Sequence, residues 1–110
     1  MRAKKVDKTH AAIRDHLRSI GWRLFDTSAV GRGFPDFICA RGGFTALLEC
    51  KSGSEAGAEM NLNELQRRFR DEWPGSYVVA ATPEQAEREL AARLLGFRLE
   101  ELRISEEGLD

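Results

Sequence analysis

Asp36, Glu49 and Lys51 are the residues of this chain whose types and spacing could do chemistry together. Two carboxylates held close together repel each other, and burial makes both harder to ionise. A divalent cation such as Mg²⁺ relieves that conflict, because it prefers oxygen ligands and often takes one or two carboxylates with waters and phosphate oxygens. Such an ion can activate water beside a phosphodiester, while the Lys51 ammonium positions the water or stabilises the transition state. The spacing alone fits a charged hairpin end equally well.

The segment that contains these residues is predicted to form a β-hairpin. Two apolar runs, Pro35–Arg41 and Phe44–Lys51, are separated by Gly42-Gly43. Such a pair favours a tight turn, because both glycines can adopt positive φ. Apolar residues occupy consecutive positions in both runs, which is typical of strands covered on both faces. We therefore expect a central sheet with helices on either side.

The register of this hairpin brings the three charged residues together. If Arg41 pairs with Phe44, Asp36 lies directly opposite Glu49, with β-carbons about 4.5–5.5 Å apart on one face. Lys51 follows two residues after Glu49 and therefore points to the same face. The sequence offers no other cluster of two acids and a base like this one.

The remaining apolar periodicity predicts three helices and two further strands. The helices are expected at His10–Ile20, at Asn63–Trp73 and from Thr82 to about Gly96, and the strands at Trp22–Thr27 and Ser76–Ala81. The polar segment of about 52–61 is expected to be a flexible loop, and a C-terminal extension of about 97–110 could add an edge strand, Phe97–Ile104. The order α-β-β-β-α-β-α indicates an α/β fold, a central mixed sheet flanked by helices, in one domain over residues 1–110.

The composition, 42% hydrophobic and 32% charged, is typical of a water-soluble domain. We expect a cytoplasmic protein without a membrane segment, because no apolar run approaches the roughly 18 residues that span a bilayer and the charged N-terminus lacks a secretory signal. Cys39 and Cys50 are too few for a zinc site of about four ligands, so both are expected to pack in the core. A cross-strand disulfide is geometrically possible but not expected in a reducing compartment.

The charge is unevenly distributed along the chain, although the net charge is only −1. Residues 1–70 carry 13 Lys/Arg and 8 Asp/Glu, whereas residues 71–110 carry 4 and 10. A basic front could meet phosphates, but a solvated helix surface explains the acidic half equally well. Charge alone does not decide between a nucleic-acid partner and an ordinary surface.

Taken together, the motifs resemble the PD-(D/E)xK nuclease superfamily, through Gly33-Phe-Pro-Asp36 placed thirteen residues before Glu49-Cys-Lys51. More closely, the stretch from Asp7 to Gly75 resembles small phage and bacterial VRR-NUC-type nucleases and their Holliday-junction-resolvase-like relatives. The matching features are Asp7 and His10 near the first helix, Val30-Gly-Arg-Gly-Phe-Pro-Asp36, Leu48-Glu-Cys-Lys-Ser-Gly53, Leu62-Asn-Glu-Leu-Gln66 and Trp73-Pro-Gly75.

The resemblance implies a restriction-endonuclease-like core and a Mg²⁺-dependent DNA endonuclease, with Mn²⁺ able to substitute, acting on branched, flap or junction DNA. Asp36 and Glu49 would bind the metal with the backbone carbonyl of Cys50, and Lys51 would assist water attack, leaving a 5′-phosphate and a 3′-hydroxyl. Gln66 matches a glutamine that supports the site from the following helix. From the residues alone, Gln66 could equally complete a capping box at the start of that helix.

The chain departs from its relatives in the first helix, where many carry a glutamate and the aligned residue is Ala12. His10 or Asp7 is the candidate to compensate. The departure keeps two alternatives open, a nuclease-fold nucleic-acid-binding module without turnover and a small α/β scaffold.

Further residues are candidates for contact with DNA or with a second subunit. Gly31 and Gly33 could let the backbone approach a phosphate, or simply form a turn. Basic side chains could track the DNA backbone, namely Arg32, Arg67 and Arg70. Junction-cutting relatives act as homodimers, and the C-terminal apolar residues exceed what a short tail needs, so a homodimer is also predicted; those residues are Leu94, Leu95, Phe97, Leu99 and Leu102.

Overall fold

The computed structural model describes residues 4–108 of the chain, with side chains from residue 8 onward. Within this range the chain forms a mixed α/β structure with a four-stranded sheet and flanking helices, which confirms the predicted class. The helices are α1 (Lys4–Ser19), α2 (Glu64–Glu72) and α3 (Pro83–Gly108), the strands are β1 (Arg23–Asp26), β2 (Phe37–Arg41), β3 (Phe44–Cys50) and β4 (Ser76–Ala80), and a 3-10 turn covers Glu59–Asn61.

The sheet has the strand order β1-β2-β3-β4 and is mixed, as expected. β1 and β3 both run antiparallel to β2, whereas β4 runs parallel to β3. Arg41 pairs with Phe44 across the hairpin, so the predicted register is confirmed. Gly42 and Gly43 form the turn with φ of 55° and 82°, values that glycine adopts without strain.

Both faces of the sheet are covered, because alternate side chains of β3 enter two separate cores. Leu48 and Cys50 pack with α1 and α3 on one face. Leu47 packs on the other face with residues of the 3-10 segment, β4 and α2. Glu49 shares the alternation of Leu47 and therefore points toward the α2 side. Cys39 and Cys50 are both buried and unbridged, which confirms core packing.

The prediction that the last helix ends near Gly96 and is followed by an edge strand was wrong. α3 continues without interruption to Gly108. Gly96 does not adopt the positive φ of a helix end, and Phe97 packs its ring 5.4 Å from that of Phe44. Ion pairs one turn apart then support the exposed end, since Arg103 contacts both Glu100 and Glu107.

The C-terminal half of α3 leaves several large apolar side chains exposed. Leu94 and Phe97 contact the core, but Leu95, Leu99 and Leu102 are all more than half exposed. A second subunit over this surface stays a prediction. Neither α3 nor any other helix among residues 4–108 has the length and apolar character needed to cross a bilayer.

Two other boundaries differ from the predicted ones. α1 begins at Lys4 rather than His10, because no glycine or proline interrupts the polar residues before its apolar face. The segment predicted as a flexible loop is tied to α3 through Glu55, whose carboxylate accepts from Thr82 Oγ1 at 2.5 Å and Arg88 Nη2 at 2.8 Å. Its buried Ala58 joins the second core.

The loop between β1 and β2 makes a close backbone contact with α2 at Gly33. A β-carbon placed on Gly33 would lie 2.6 Å from the carbonyl oxygen of Leu65, and φ there is 85°. Gly31 has a similar φ of 75° with no atom within 4 Å of such a carbon. Gly33 is therefore required both by its positive φ and by the close helix–loop contact, whereas Gly31 is required only by its positive φ.

We predict that Gly33→Ala destabilises the protein more than Gly31→Ala. Both substitutions place alanine in the left-handed region, which costs about 1–2 kcal/mol, but only Gly33→Ala also pushes the loop off the α2 backbone. Urea unfolding of the two variants measures the difference in the free energy of unfolding. Equal losses would contradict a close contact at Gly33.

Candidate functional site

Five of the predicted site residues, Cys50 among them, lie around one cavity at the open end of the β2–β3 hairpin. The cavity has a volume of about 360 Å³ and lies beside the start of α2. Its lining consists of Asp36, Glu49, Cys50, Lys51, Ser52, Asn61 and Gln66. The structure therefore brings together the two acids, the lysine and the glutamine that the sequence singled out.

Asp36 is held from two sides immediately before β2. Its Oδ2 accepts a hydrogen bond of 2.8 Å from the backbone N–H of Cys50, which ties its carboxylate to β3. Thr27 fixes the backbone, since its N–H donates to the Asp36 carbonyl at 2.7 Å and its hydroxyl donates to the Pro35 carbonyl at 2.8 Å. These bonds leave Asp36 little freedom to turn away from Glu49.

Glu49 is the buried charged residue among those that the structure describes, with only 4% of its surface exposed. Its Oε2 accepts a hydrogen bond of 3.0 Å from Gln66 Nε2 and lies 3.4 Å from Lys51 Nζ. Its Oε1 is buried and has no hydrogen-bond partner among the described residues. Burial, and next the negative charge of Asp36, raise the pKa of Glu49 to about 7, although Lys51 opposes the shift.

Gln66 connects α2 to Glu49 of β3 and to Lys51 just beyond the end of that strand. Its Oε1 accepts from Lys51 Nζ at 2.8 Å, while its Nε2 donates to Glu49. The same residue completes a capping box with Asn63, whose side chain accepts from the Gln66 N–H and whose N–H donates to Gln66 Oε1. The capping role is therefore confirmed, and the same side chain also contacts Lys51 and Glu49, while a part in catalysis stays a prediction.

The carboxylates fit a hard divalent cation with a sparse protein ligand set. Among the described residues, no group of three or more His, Cys, Asp or Glu side chains is arranged to hold a metal. Mg²⁺, however, commonly uses one or two carboxylates and fills its other positions with water and phosphate oxygens. The unpartnered Oε1 of Glu49, next to Asp36, is an oxygen that a cation could satisfy.

Of the two residues proposed to compensate for Ala12, His10 does not line this cavity. His10 stacks its ring on Phe37 at 4.2 Å and places Nε2 3.9 Å from Asp26 Oδ2. Ala12 lies exposed on α1. Asp7 belongs to α1, and its side chain lies outside the described residues.

The predicted DNA-contacting residues are placed differently from one another. Arg32 is exposed in a left-handed conformation with φ of 56°. Arg67 donates to the carbonyl oxygen of Leu62 at 2.7 Å, and Arg70 pairs with Asp71 at 3.2 Å. Some N–H donors of Arg67 and Arg70 are therefore already used within the protein. Contact of any of the three arginines with DNA stays a prediction.

Sequence reasoning missed Thr27, Ser52 and Asn61. The sequence predicts Thr27 only as the end of a strand, and no pattern in it indicates contact with Pro35 and Asp36. Ser52 lines the cavity directly after Lys51. Asn61 lines the cavity from the end of the 3-10 turn. The sequence carries no signal for Asn61, since its position depends on how the 52–61 segment folds back.

Comparisons with known proteins add no further constraint. No protein-family model matches the sequence, and neither a curated protein nor a solved structure shows significant similarity to it. The nuclease resemblance therefore rests on the quoted sequence motifs alone.

We predict that Thr27→Val lowers the free energy of unfolding by about 1 kcal/mol, because it removes one buried hydrogen bond to Pro35 at nearly constant volume. Thr27→Ser should retain most of the stability. Thr45→Val, at an exposed position of β3, is the matched control and should be nearly neutral. If Thr27→Val and Thr45→Val gave the same result in urea unfolding, Thr27 would not be a clamp on Asp36.

The raised pKa of Glu49 predicts a pH-dependent stability in metal-free protein. Between pH 4.5 and about 7 the unfolded chain releases a proton that the folded protein retains, so rising pH favours unfolding. Above pH 7 the loss is complete, at about 3 kcal/mol for a shift of this size. Glu49→Gln removes the ionisation, so its stability relative to wild type should rise from pH 5 to pH 8.

Urea unfolding in EDTA at several pH values measures this difference, and pairing each point with the variant cancels the titration of other groups. A gap between Glu49→Gln and wild type that does not change with pH would mean that Glu49 titrates normally.

Proposed function

We propose that this chain is a metal-dependent DNA nuclease with a restriction-endonuclease-like core, in which Asp36, Glu49 and Lys51 hydrolyse a phosphodiester bond. The observation that carries the proposal is the buried Glu49 carboxylate, which lies beside Asp36 and has one oxygen without a partner in the described part of the chain. A protein gains no stability by burying such a group. A role in binding a cation would explain why this carboxylate is buried.

Asp36 and Glu49 would hold a Mg²⁺ ion, together with the backbone carbonyl of Cys50 as the family resemblance suggests. When bound, the ion would supply charge neutralisation for the scissile phosphate and would lower the pKa of the attacking water. The carboxylates do the positioning. Asp36 is tied to the Cys50 N–H and Glu49 to Gln66, so the two carboxylates are oriented before any substrate arrives.

In this proposal Lys51 would act on the substrate as well as neutralise Glu49. Its ammonium donates to Gln66 Oε1 and contacts Glu49 Oε2, which uses two of its three N–H groups. Its side chain is 18% exposed and lines the cavity. The third N–H can hold the attacking water or a phosphate oxygen, and stabilise negative charge as the bond to the 3′-oxygen breaks.

The substrate side of the proposal is DNA, with branched, flap or junction forms as the family resemblance suggests. The products would carry 5′-phosphate and 3′-hydroxyl ends. A homodimer would supply the two sites that symmetric junction cleavage requires.

The test is cleavage of linear, nicked, flap and four-way-junction DNA, with and without Mg²⁺ or Mn²⁺. Lys51→Ala should lower the rate by about 10²–10³-fold, the usual loss for one transition-state donor, and Asp36→Ala with Lys51→Ala should abolish cleavage. Arg103→Ala, at the exposed end of α3, is the control and should cut like wild type. Cleavage that survives in the double variant would refute the assignment.

Gln66→Ala and Asn63→Ala separate support of the site from capping of the helix. Both break the capping box, but only Gln66→Ala removes the contacts to Lys51 and Glu49. Cleavage by Gln66→Ala should therefore be much slower than by Asn63→Ala at similar thermal stability. Equal rates would assign Gln66 to capping alone.

The second candidate is a nucleic-acid-binding module without turnover. It is favoured by the absence of a third acid at the cavity among the described residues, since His10 faces Asp26 instead. Binding of DNA without cleavage in any metal, on every substrate of the panel, would select this candidate.

A further inference from the structure

A second and larger groove lies along the exposed edge of β1, outside the catalytic cavity. Its volume is about 510 Å³, and it lies where the end of α1 meets the first strand. Its lining consists of Arg18, Gly21, Trp22, Arg23, Leu24 and Phe25. Phe25 is 61% exposed, so the groove offers an aromatic surface between arginines.

Arg18 and Arg23 line this groove, and Arg41 lies beside it, since a β-carbon placed on Gly21 would lie 3.3 Å from Arg41 Cζ. Backbone carbonyls hold two of these three guanidinium groups in place. Arg18 donates to the carbonyl of Leu24 at 3.0 Å, and Arg41 donates to the carbonyl of Ile20 at 2.8 Å. Arg41 also lies 6.0 Å above the centre of the Trp22 ring. Each guanidinium has five N–H donors, so these contacts orient the two groups and leave most of their donors available.

No carboxylate among residues 8–108 lies within ion-pair distance of Arg18, Arg23 or Arg41. Five of the other nine arginines in this range do have acidic partners, namely Arg14, Arg70, Arg88, Arg93 and Arg103. The remaining four, Arg32, Arg67, Arg68 and Arg98, have no ion pair either, but they do not line this groove. Three uncompensated positive charges at one groove require an anionic partner or water.

We propose that this groove binds the phosphates of a nucleic-acid backbone and holds the substrate strand outside the catalytic cavity. The proposal rests on the proposed nuclease function. The planar guanidinium fork matches phosphate oxygens in pairs, and exposed Phe25 can contact a sugar or an unstacked base. The three charges come from α1, β1 and the end of β2 and are spaced singly around the groove, which suits a phosphodiester backbone better than a broad protein surface.

The strand register relates the groove to the site. Arg23 pairs with Ala40, four residues along from Asp36, which is about 13 Å at the usual rise of a strand. That distance corresponds to roughly four nucleotides of one strand. We therefore expect the groove to contact phosphates a few nucleotides from the scissile bond.

The test is the binding of fluorescein-labelled single-stranded and duplex oligonucleotides in EDTA, followed by anisotropy over a range of salt. The triple variant Arg18→Gln, Arg23→Gln and Arg41→Gln should bind at least tenfold more weakly. The slope of log affinity against log salt should fall by about 2–3 for duplex, at about 0.9 for each lost contact. The control is a triple variant with the same charge change at ion-paired arginines, Arg88→Gln, Arg93→Gln and Arg103→Gln, which should bind like wild type.

A further variant with lysine at positions 18, 23 and 41 should keep the salt slope but bind less tightly, because it retains charge without the fork. Equal binding by both glutamine triples, or displacement of DNA by polyglutamate as effectively as by unlabelled DNA, would overturn the proposal. If wild type cuts DNA but the glutamine triple at positions 18, 23 and 41 binds DNA as tightly as wild type, the proposed role of the groove is refuted and the nuclease function is not. Wild type that neither binds nor cuts DNA would refute the proposed function and the groove with it.

Discussion

The burial of the Glu49 carboxylate is the constraint on which the rest of the site depends. Taking a carboxylate out of water is costly unless partners replace its hydration. Here Gln66 and Lys51 reach one oxygen, Asp36 adds negative charge, and the other oxygen has no partner among the described residues. Because this environment raises the pKa of Glu49, a positive charge bound beside it would stabilise the ionised carboxylate.

Local structure and site geometry are coupled through α2. The capping box that starts this helix uses the same Gln66 oxygen that receives the Lys51 ammonium. Gly33 lets the β1–β2 loop contact α2 directly at Leu65, and that loop also leads to Asp36. Displacement of α2 would therefore disturb Glu49, Lys51 and the loop that leads to Asp36.

Much of this arrangement could be predicted, because it follows from neighbours in sequence. The Gly42-Gly43 turn sets the register of β2 and β3, and the register alternates side chains so that Glu49 and Lys51 share a face. The prediction that α3 ends near Gly96 was wrong. Gly96 and the alternating apolar residues after it suggested a break, but the helix continues to Gly108. Helical ion pairs and contact of Phe97 with Phe44 outweigh the weak stop signal of one glycine.

By itself, the sequence determined the mixed α/β class, the hairpin and its charged end, since periodicity and turn chemistry act over a few residues. Only the tertiary structure decided which distant groups meet there. Thr27 clamps Pro35 and Asp36, His10 turns to Asp26 rather than to the cavity, and the arginines around Trp22 are left without acids. These outcomes depend on how separate elements pack, and no local pattern encodes the partner that a side chain finds across the fold. The charged end of the hairpin could be predicted from the sequence. The burial of Glu49 and the contacts of its carboxylate could not.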